Sequence, residues 1–183
     1  MASLLLPKTS TVIANEHGRS DEPPLILDWN VDLERPKMIL AYDYWRSRRG
    51  TRRMPSRTDL DPVGMRKFVA HIGLIEIRRD PELFCPYFVR LAGAEWQAVY
   101  GQIIGKFFFE FLPPHVLPSW RTVCDAVRDK IAPLRIRTTI HFEDKRWLTS
   151  EALMAPLGDR DDEASMLFLA FDAWTEADQR QQF

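Results

Sequence analysis

The chain has 183 residues, of which 45% are hydrophobic, 11% aromatic and 28% charged. That composition excludes global disorder, and the length suits one domain with its own core plus an arm. Lys and Arg number 25 against 26 Asp and Glu, a formal charge of −1 that argues against a generic polyanion binder and leaves only local patches for such a role. Two cysteines, Cys85 and Cys124, are too few for a disulfide framework. Set among apolar neighbours, they read as small buried hydrophobes of a reduced, cytoplasmic protein. Met1 to Pro7 lacks the basic start and apolar run of a signal peptide. No stretch approaches the roughly 20 apolar residues of a membrane span, so no membrane partner is expected.

Residues 1–24 are polar and turn-rich without periodicity and read as a flexible arm. Residues 25–70 read as an N-terminal helical extension. Its first helix spans about 33–48, capped by Asp32 or Glu34, with Pro36 in the first turn and Gly50 as the stop. Met38, Ala41, Tyr42 and Trp45 recur on it as one apolar stripe. Asp61-Pro62 starts a second helix, with Leu60 and Met65 spaced as a hydrophobic staple. The period then changes. Residues 73–77 and 86–92 read as strands around an Asp80-Pro81 turn, followed by a short helix at 94–100 and an aromatic turn at 107–112. The strongest helix spans 115–131, with Val116, Trp120, Val123, Val127 and Ile131 on one face. Leu134, Ile136, Ile140 and Phe142 then alternate with Arg135, Arg137, Thr139 and His141 in a strand. Two more strands, 147–156 and 164–173, complete the domain, and residues 175–183 form a tail.

This order predicts an α+β protein: a five-stranded antiparallel sheet, helices gathered between strands two and three, and N-terminal helices in front. The residues go further. Tyr44-Trp45-Arg46, the run Arg53 to Pro62, His71 to Glu76, Tyr87 to Gly93, Gly101 to Gly105 and Ala155-Pro156-Leu157 together resemble a bacterial family of stand-alone PAS domains. The resemblance covers about 33–172 and places the PAS-like domain at 71–174. It implies a sensory or interaction module for signal transduction, with no enzyme activity and no catalytic residues.

The residues themselves carry little chemistry. Gly101 to Lys106 reads GQIIGK, one residue short of a phosphate-binding loop and followed by Phe107 instead of Ser or Thr. His17, His71, His115 and His141 have bland readings in arm, junction, cap and polar strand face, so no metal or haem ligand is expected. The acidic turn Asp159 to Glu163 lacks the glycine and distal glutamate of a calcium loop. No covalent cofactor is expected, and any ligand should be small and mostly apolar. By analogy with the family, its pocket candidates are Trp96, Tyr100, Phe107, Phe111, Ile136 and Ile140; the competing reading is that these side chains simply fill the core.

Between Arg35 and Arg57 stand eight basic residues against the single acid Asp43. The basic patch Arg46, Arg48, Arg49, Arg52, Arg53 and Arg57 suits phosphates. The competing reading is cations at a helix C-terminus and pairing with acids of the same chain. The leading functional expectation is a sensor or adaptor acting through protein association, with a signalling protein as partner. Binding of nucleic acid or a nucleotide second messenger through residues 46–57 is the alternative. A homodimer is expected, with Met38, Ala41, Tyr42 and Trp45 in its interface.

Overall fold

The computed structural model describes residues 10–13, 25–142, 146–175 and 177–178. Its strands are β1 (Ser10–Ile13), β2 (Leu25–Asp28), β3 (Ile72–Ile77), β4 (Tyr87–Ala92), β5 (Leu134–Phe142), β6 (Arg146–Leu157) and β7 (Met166–Trp174). They form one antiparallel sheet in the order β1-β2-β5-β6-β7-β3-β4. Strands β3 to β7 are the five expected from the sequence. The sheet is wider by two, because Leu25-Ile26-Leu27 pairs with Arg137-Ile136-Arg135 at the β5 edge and β1 pairs with β2 in turn. Part of the expected arm and the start of the expected helical extension are therefore strand. The rest of the arm, His17 included, and most of the tail lie outside the described residues.

Helices α1 (Pro36–Arg49) and α2 (Pro62–Met65) precede β3, whereas α3 (Ala94–Tyr100) and α4 (Leu117–Lys130) lie between β4 and β5. The two sets cover opposite faces of the sheet. α3, α4 and a single turn at Phe108–Glu110 lie over the inner face, where Ile75, Val89, Leu134, Ile136, Met154, Leu169 and Phe171 are buried. α1 and the segment down to Phe68 cover the outer face, where Leu74, Leu153, Ala155, Phe168 and Ala170 are buried. β3, β6 and β7 thus contribute residues to two separate cores.

α4 forms as its stripe predicts, burying Trp120, Val123, Cys124 and Val127, and it ends at Ile131 in a left-handed conformation with φ 50°. α2 is a single turn, shorter than expected, but its cap is the expected one: Asp61 accepts from Val63 N at 3.0 Å and Gly64 N at 2.9 Å. Leu60 and Met65 are both buried beside it. α1 ends at Gly50, with φ 57°, as expected. Its N-terminus is capped neither by Asp32 nor by Glu34. The carboxylate of Glu151, on β6, accepts from Glu34 N at 3.1 Å and from Arg35 N at 2.7 Å.

The stripe on α1 is also satisfied within the chain. Met38 and Ala41 are fully buried, and Trp45 is 1% exposed and donates from Nε1 to Pro156 O at 3.0 Å. Tyr42 is half-buried against Trp45, their ring centroids 6.3 Å apart. The dimer interface expected on these four residues is corrected accordingly: they fasten α1 to the outer face of its own sheet. The physical reason lies in the strands beneath. Beneath the body of α1 the outward residues Leu153 and Ala155 of β6, Phe168 and Ala170 of β7 and Leu74 of β3 are apolar, whereas polar outward residues gather toward β5 and the head of the helix.

Candidate functional site

Trp96 and Tyr100 stand one helical turn apart on α3 and point toward the sheet. They meet Phe108, Phe111 and Leu112 from the following turn, Trp120 from α4, and Met154, Leu169 and Phe171 from β6 and β7. These nine side chains enclose a void of about 10 Å³. The rings pack edge to face. Phe108 and Phe111 lie 5.7 Å apart, Tyr100 and Phe111 6.0 Å, and Trp96 lies 6.5 Å from both phenylalanines. Gly73 allows this closeness, since a Cβ there would lie 2.5 Å from the Trp96 ring. A void of this size holds at most about one water, and an apolar lining leaves it dry. Burial pushes the Tyr100 phenol well above its ordinary pKa, so the hydroxyl at this site is neutral.

Of the pocket candidates, Trp96, Tyr100 and Phe111 line the void. Ile136 is buried on the inner face and Ile140 packs at its margin, but neither reaches the void. Phe107 lies outside it, against Phe88 and Phe109 at the sheet edge. The segment 101–107 is irregular, so no period assigns its ring to a face. Phe108, Leu112, Trp120, Met154, Leu169 and Phe171 complete the lining. Trp120 was visible on the α4 stripe, whereas Met154, Leu169 and Phe171 become neighbours only through the β6–β7 pairing.

Directly behind this void, the outer face holds a second concentration of function-capable groups. Glu151 is fully buried and accepts from Arg135 Nε at 2.7 Å. Arg135 also donates to Glu34 at 2.7 Å, and Arg137 reaches the same carboxylate at 3.0 Å. Arg35 donates to Asp172 at 2.7 Å and stacks over Trp174 at 4.5 Å. His71 Nδ1 lies 3.0 Å from Phe171 O and 3.8 Å from Asp172, in keeping with a junction histidine that satisfies backbone. Burial opposes the Arg135 charge, but its bonds to Glu34 and Glu151 outweigh that cost and hold its pKa above the ordinary arginine value. Sequence patterning places Arg135 on a polar strand face. It does not identify Glu151, whose backbone partners lie 116 and 117 positions away.

The arginine-rich segment is largely folded back on the chain. Arg48 stacks on Tyr44 at 4.9 Å and lies 3.6 Å from Asp61, and Arg49 stacks on Trp45 at 5.8 Å. Arg52 pairs with Asp59, and Arg53 donates to Lys130 O at 2.8 Å at the α4 C-terminus. Arg46 stacks on Tyr42 at 5.5 Å, and Arg57 is exposed. Bonding to Arg52 and to Ser56 holds the Asp59 carboxyl down to about 2.

Cys85 and Cys124 are fully buried, and burial pushes both thiols up. Among the described residues no group of three His, Cys, Asp or Glu side chains could hold a metal ion. The turn Asp159 to Glu163 is a hairpin closed by an Arg160–Glu163 bridge. No helix among the described residues is long and apolar enough to cross a membrane.

In fold, the chain is similar to the Rhodobacter sphaeroides LOV protein, at 14% identity and a TM-score of 0.45, over 67% of this chain and 73% of that one. It is similar to an RNA-binding light-oxygen-voltage receptor at 14% identity and a TM-score of 0.41, over 70% of this chain and 38% of that one. No curated protein sequence matches it. A family model described as PAS domain matches residues 33–170, a span that holds α1, the Glu34, Arg35, Arg135 and Glu151 part of the outer-face cluster and the whole lining of the void except Phe171. The chain belongs to the PAS domain family.

Proposed function

We propose that this PAS domain is a sensory or adaptor module that works through changes in association, without catalysis and without a resident cofactor. The observation that carries this reading is the back-to-back arrangement on β6 and β7. Phe171 lines the void while its neighbour Asp172 holds Arg35, and Ala152 faces the inner core while its neighbour Glu151 holds the head of α1. A small, mostly apolar molecule entering between Trp96, Tyr100 and Phe111 must displace Phe171 or the rings facing it. That displacement is transmitted to the carboxylates that seat α1, and a shifted α1 changes the surface offered to partners. Neither cysteine lines the void, which supports the reading without a covalently held cofactor.

Native mass spectrometry of the purified full chain, alone and with indole as probe, tests this reading. The expected result is an unmodified polypeptide mass and a single non-covalent indole adduct. With it should come faster hydrogen exchange at the Glu34 and Arg35 amides. A covalent adduct, or a flavin or haem absorption band, would overturn the cofactor-free reading. No uptake would reduce the proposal to a constitutive adaptor.

A further inference from the structure

β4 is an edge strand. The segment after α3 folds against its open side: Val89 donates to Lys106 O, Gly105 donates back to Val89 O, both at 2.9 Å, and Phe88 bridges to Phe107. Four phenylalanine rings stand in a row along this edge. Between centroids, Phe84 lies 5.1 Å from Phe109, Phe109 lies 5.2 Å from Phe107, and Phe107 lies 5.1 Å from Phe88. The Arg78 guanidinium closes the row 4.5 Å over Phe88. Phe109 packs on the inner core, but Phe84 at the far end is 57% exposed. Ile104, on the same covering segment, is 51% exposed. Exposed Phe84 and Ile104 beside three half-buried rings gather apolar surface in one place, the kind of surface that partners cover.

The charges beside the row are polarised along it. The turn that carries Phe84 holds exposed Asp80 and Glu82, and its Arg79 is paired with Glu163 at 2.8 Å. At the Phe88–Phe107 end stand Arg78, Arg90 and exposed Lys106 against two carboxylates: Glu76, which answers Arg78 at 3.2 Å and Arg90 at 3.4 Å, and Glu110, which accepts from Phe107 N at 2.6 Å. One end is acidic and the other carries excess positive charge. Single-stranded nucleic acid would use the rings and cations, but Asp80, Glu82 and Glu110 beside the same row oppose phosphates. A second copy turned by a two-fold axis between Phe109 and Phe107 meets every requirement at once: rings on rings, and each acidic end on a basic end.

We propose that the row Phe84–Phe109–Phe107–Phe88 is a self-association surface on which a second copy of this chain docks antiparallel. This deepens the association reading by naming its partner and its surface. The interface is on the β3–β4 edge and leaves α1 seated on its own sheet.

Sedimentation velocity on the full chain tests the surface with two charge variants. D80K/E82K makes both ends basic, and R90E/K106E makes both ends acidic. The wild type is expected to be dimeric at tens of micromolar. Each charge variant alone should be monomeric, and their equimolar mixture should restore the dimer, because only the mixed pair is complementary at both ends. Phe84→Ser should weaken the dimer by roughly tenfold or more, as expected for an aromatic interface anchor. These side chains are exposed, so unchanged circular dichroism is the folding control. A monomeric wild type overturns the proposal, and so does a wild type that stays monomeric yet binds poly(U) in a salt-dependent way. Variants that all remain dimeric overturn this surface while leaving association itself intact. Indole uptake by Phe84→Ser is a separate readout of the cavity, so failure of one reading does not imply failure of the other.

Discussion

The two faces of the sheet are built from the same strands and solve different problems. On the inner face, β6 and β7 meet α3 and α4 through aromatic and aliphatic side chains around a small dry void. Such contacts are numerous and weakly directional, so rings can shift and a gap can widen at modest cost. On the outer face, an equally apolar layer under α1 is pinned at one end by Glu151, Arg135, Asp172 and Arg35. Charged hydrogen bonds in a dry setting are directional, and they tolerate few alternative positions for the helix. The comparison shows how one sheet can carry a weakly directional aromatic core on one side and a helix pinned by charges on the other.

The sharpest way to break the contrast is Glu151→Ala. It leaves Arg135 buried beside a missing partner and removes the cap from the α1 N-terminus, which should cost about 3–5 kcal/mol of stability. Urea denaturation with an unchanged m-value would measure it. No apolar additive should restore the loss, because the defect is the lost buried partner of Arg135 and the lost acceptor of the Glu34 and Arg35 amides. A change below about 1 kcal/mol would mean that the outer-face cluster pins nothing.

Phe171→Ala is the inner-face counterpart. It enlarges the void and should cost about 3 kcal/mol, at the lower end for a phenylalanine because neighbouring rings can partly collapse. Here saturating indole should raise the melting temperature of the variant more than that of the wild type. Equal shifts would show that the space behind Phe171 does not open to ligand. Gly73→Ala sharpens the same face by overfilling it. The added methyl meets the Trp96 ring at 2.5 Å, and a loss of about 1–3 kcal/mol with weaker indole uptake is expected.

The smallest effect concerns the loop after α1. The folded Asp59 carboxyl, at about 2, lies below its unfolded value, so its contribution is present above the unfolded pKa and is lost as pH falls through about 2. Asp59→Asn should therefore flatten the acid limb of stability between roughly pH 4 and 2 and leave the neutral plateau shape unchanged. A carboxyl titration by NMR with an ordinary midpoint at Asp59 would remove the Arg52 pairing from the account.

Residue patterning was informative wherever the chain is regular over several turns. The α4 stripe, the alternation along β5, the Asp61-Pro62 start and the Gly50 stop are local, and backbone geometry repeats them at a fixed period. The family resemblance, carried by segments such as Tyr87 to Gly93, agreed with the match over residues 33–170. β2 escaped because four residues are too few to show a period, and only pairing with β5 stabilises them as strand.

Taken alone, then, the sequence determined the long helices, the five central strands in chain order, the family and the apolar identity of the α3 side. Tertiary structure alone decided which surface each apolar stripe would cover. Trp45 went to its own sheet, Phe107 joined the row at the β4 edge, and five of the six patch arginines turned back onto neighbours. It also decided that Glu151, in the middle of a strand, would cap a helix more than a hundred residues earlier. The physical reason is that amphipathicity says a face must be buried but not against what. Burial of apolar area is non-directional, whereas the choice among covers rests on shape and on charges brought together by chain segments far apart in sequence.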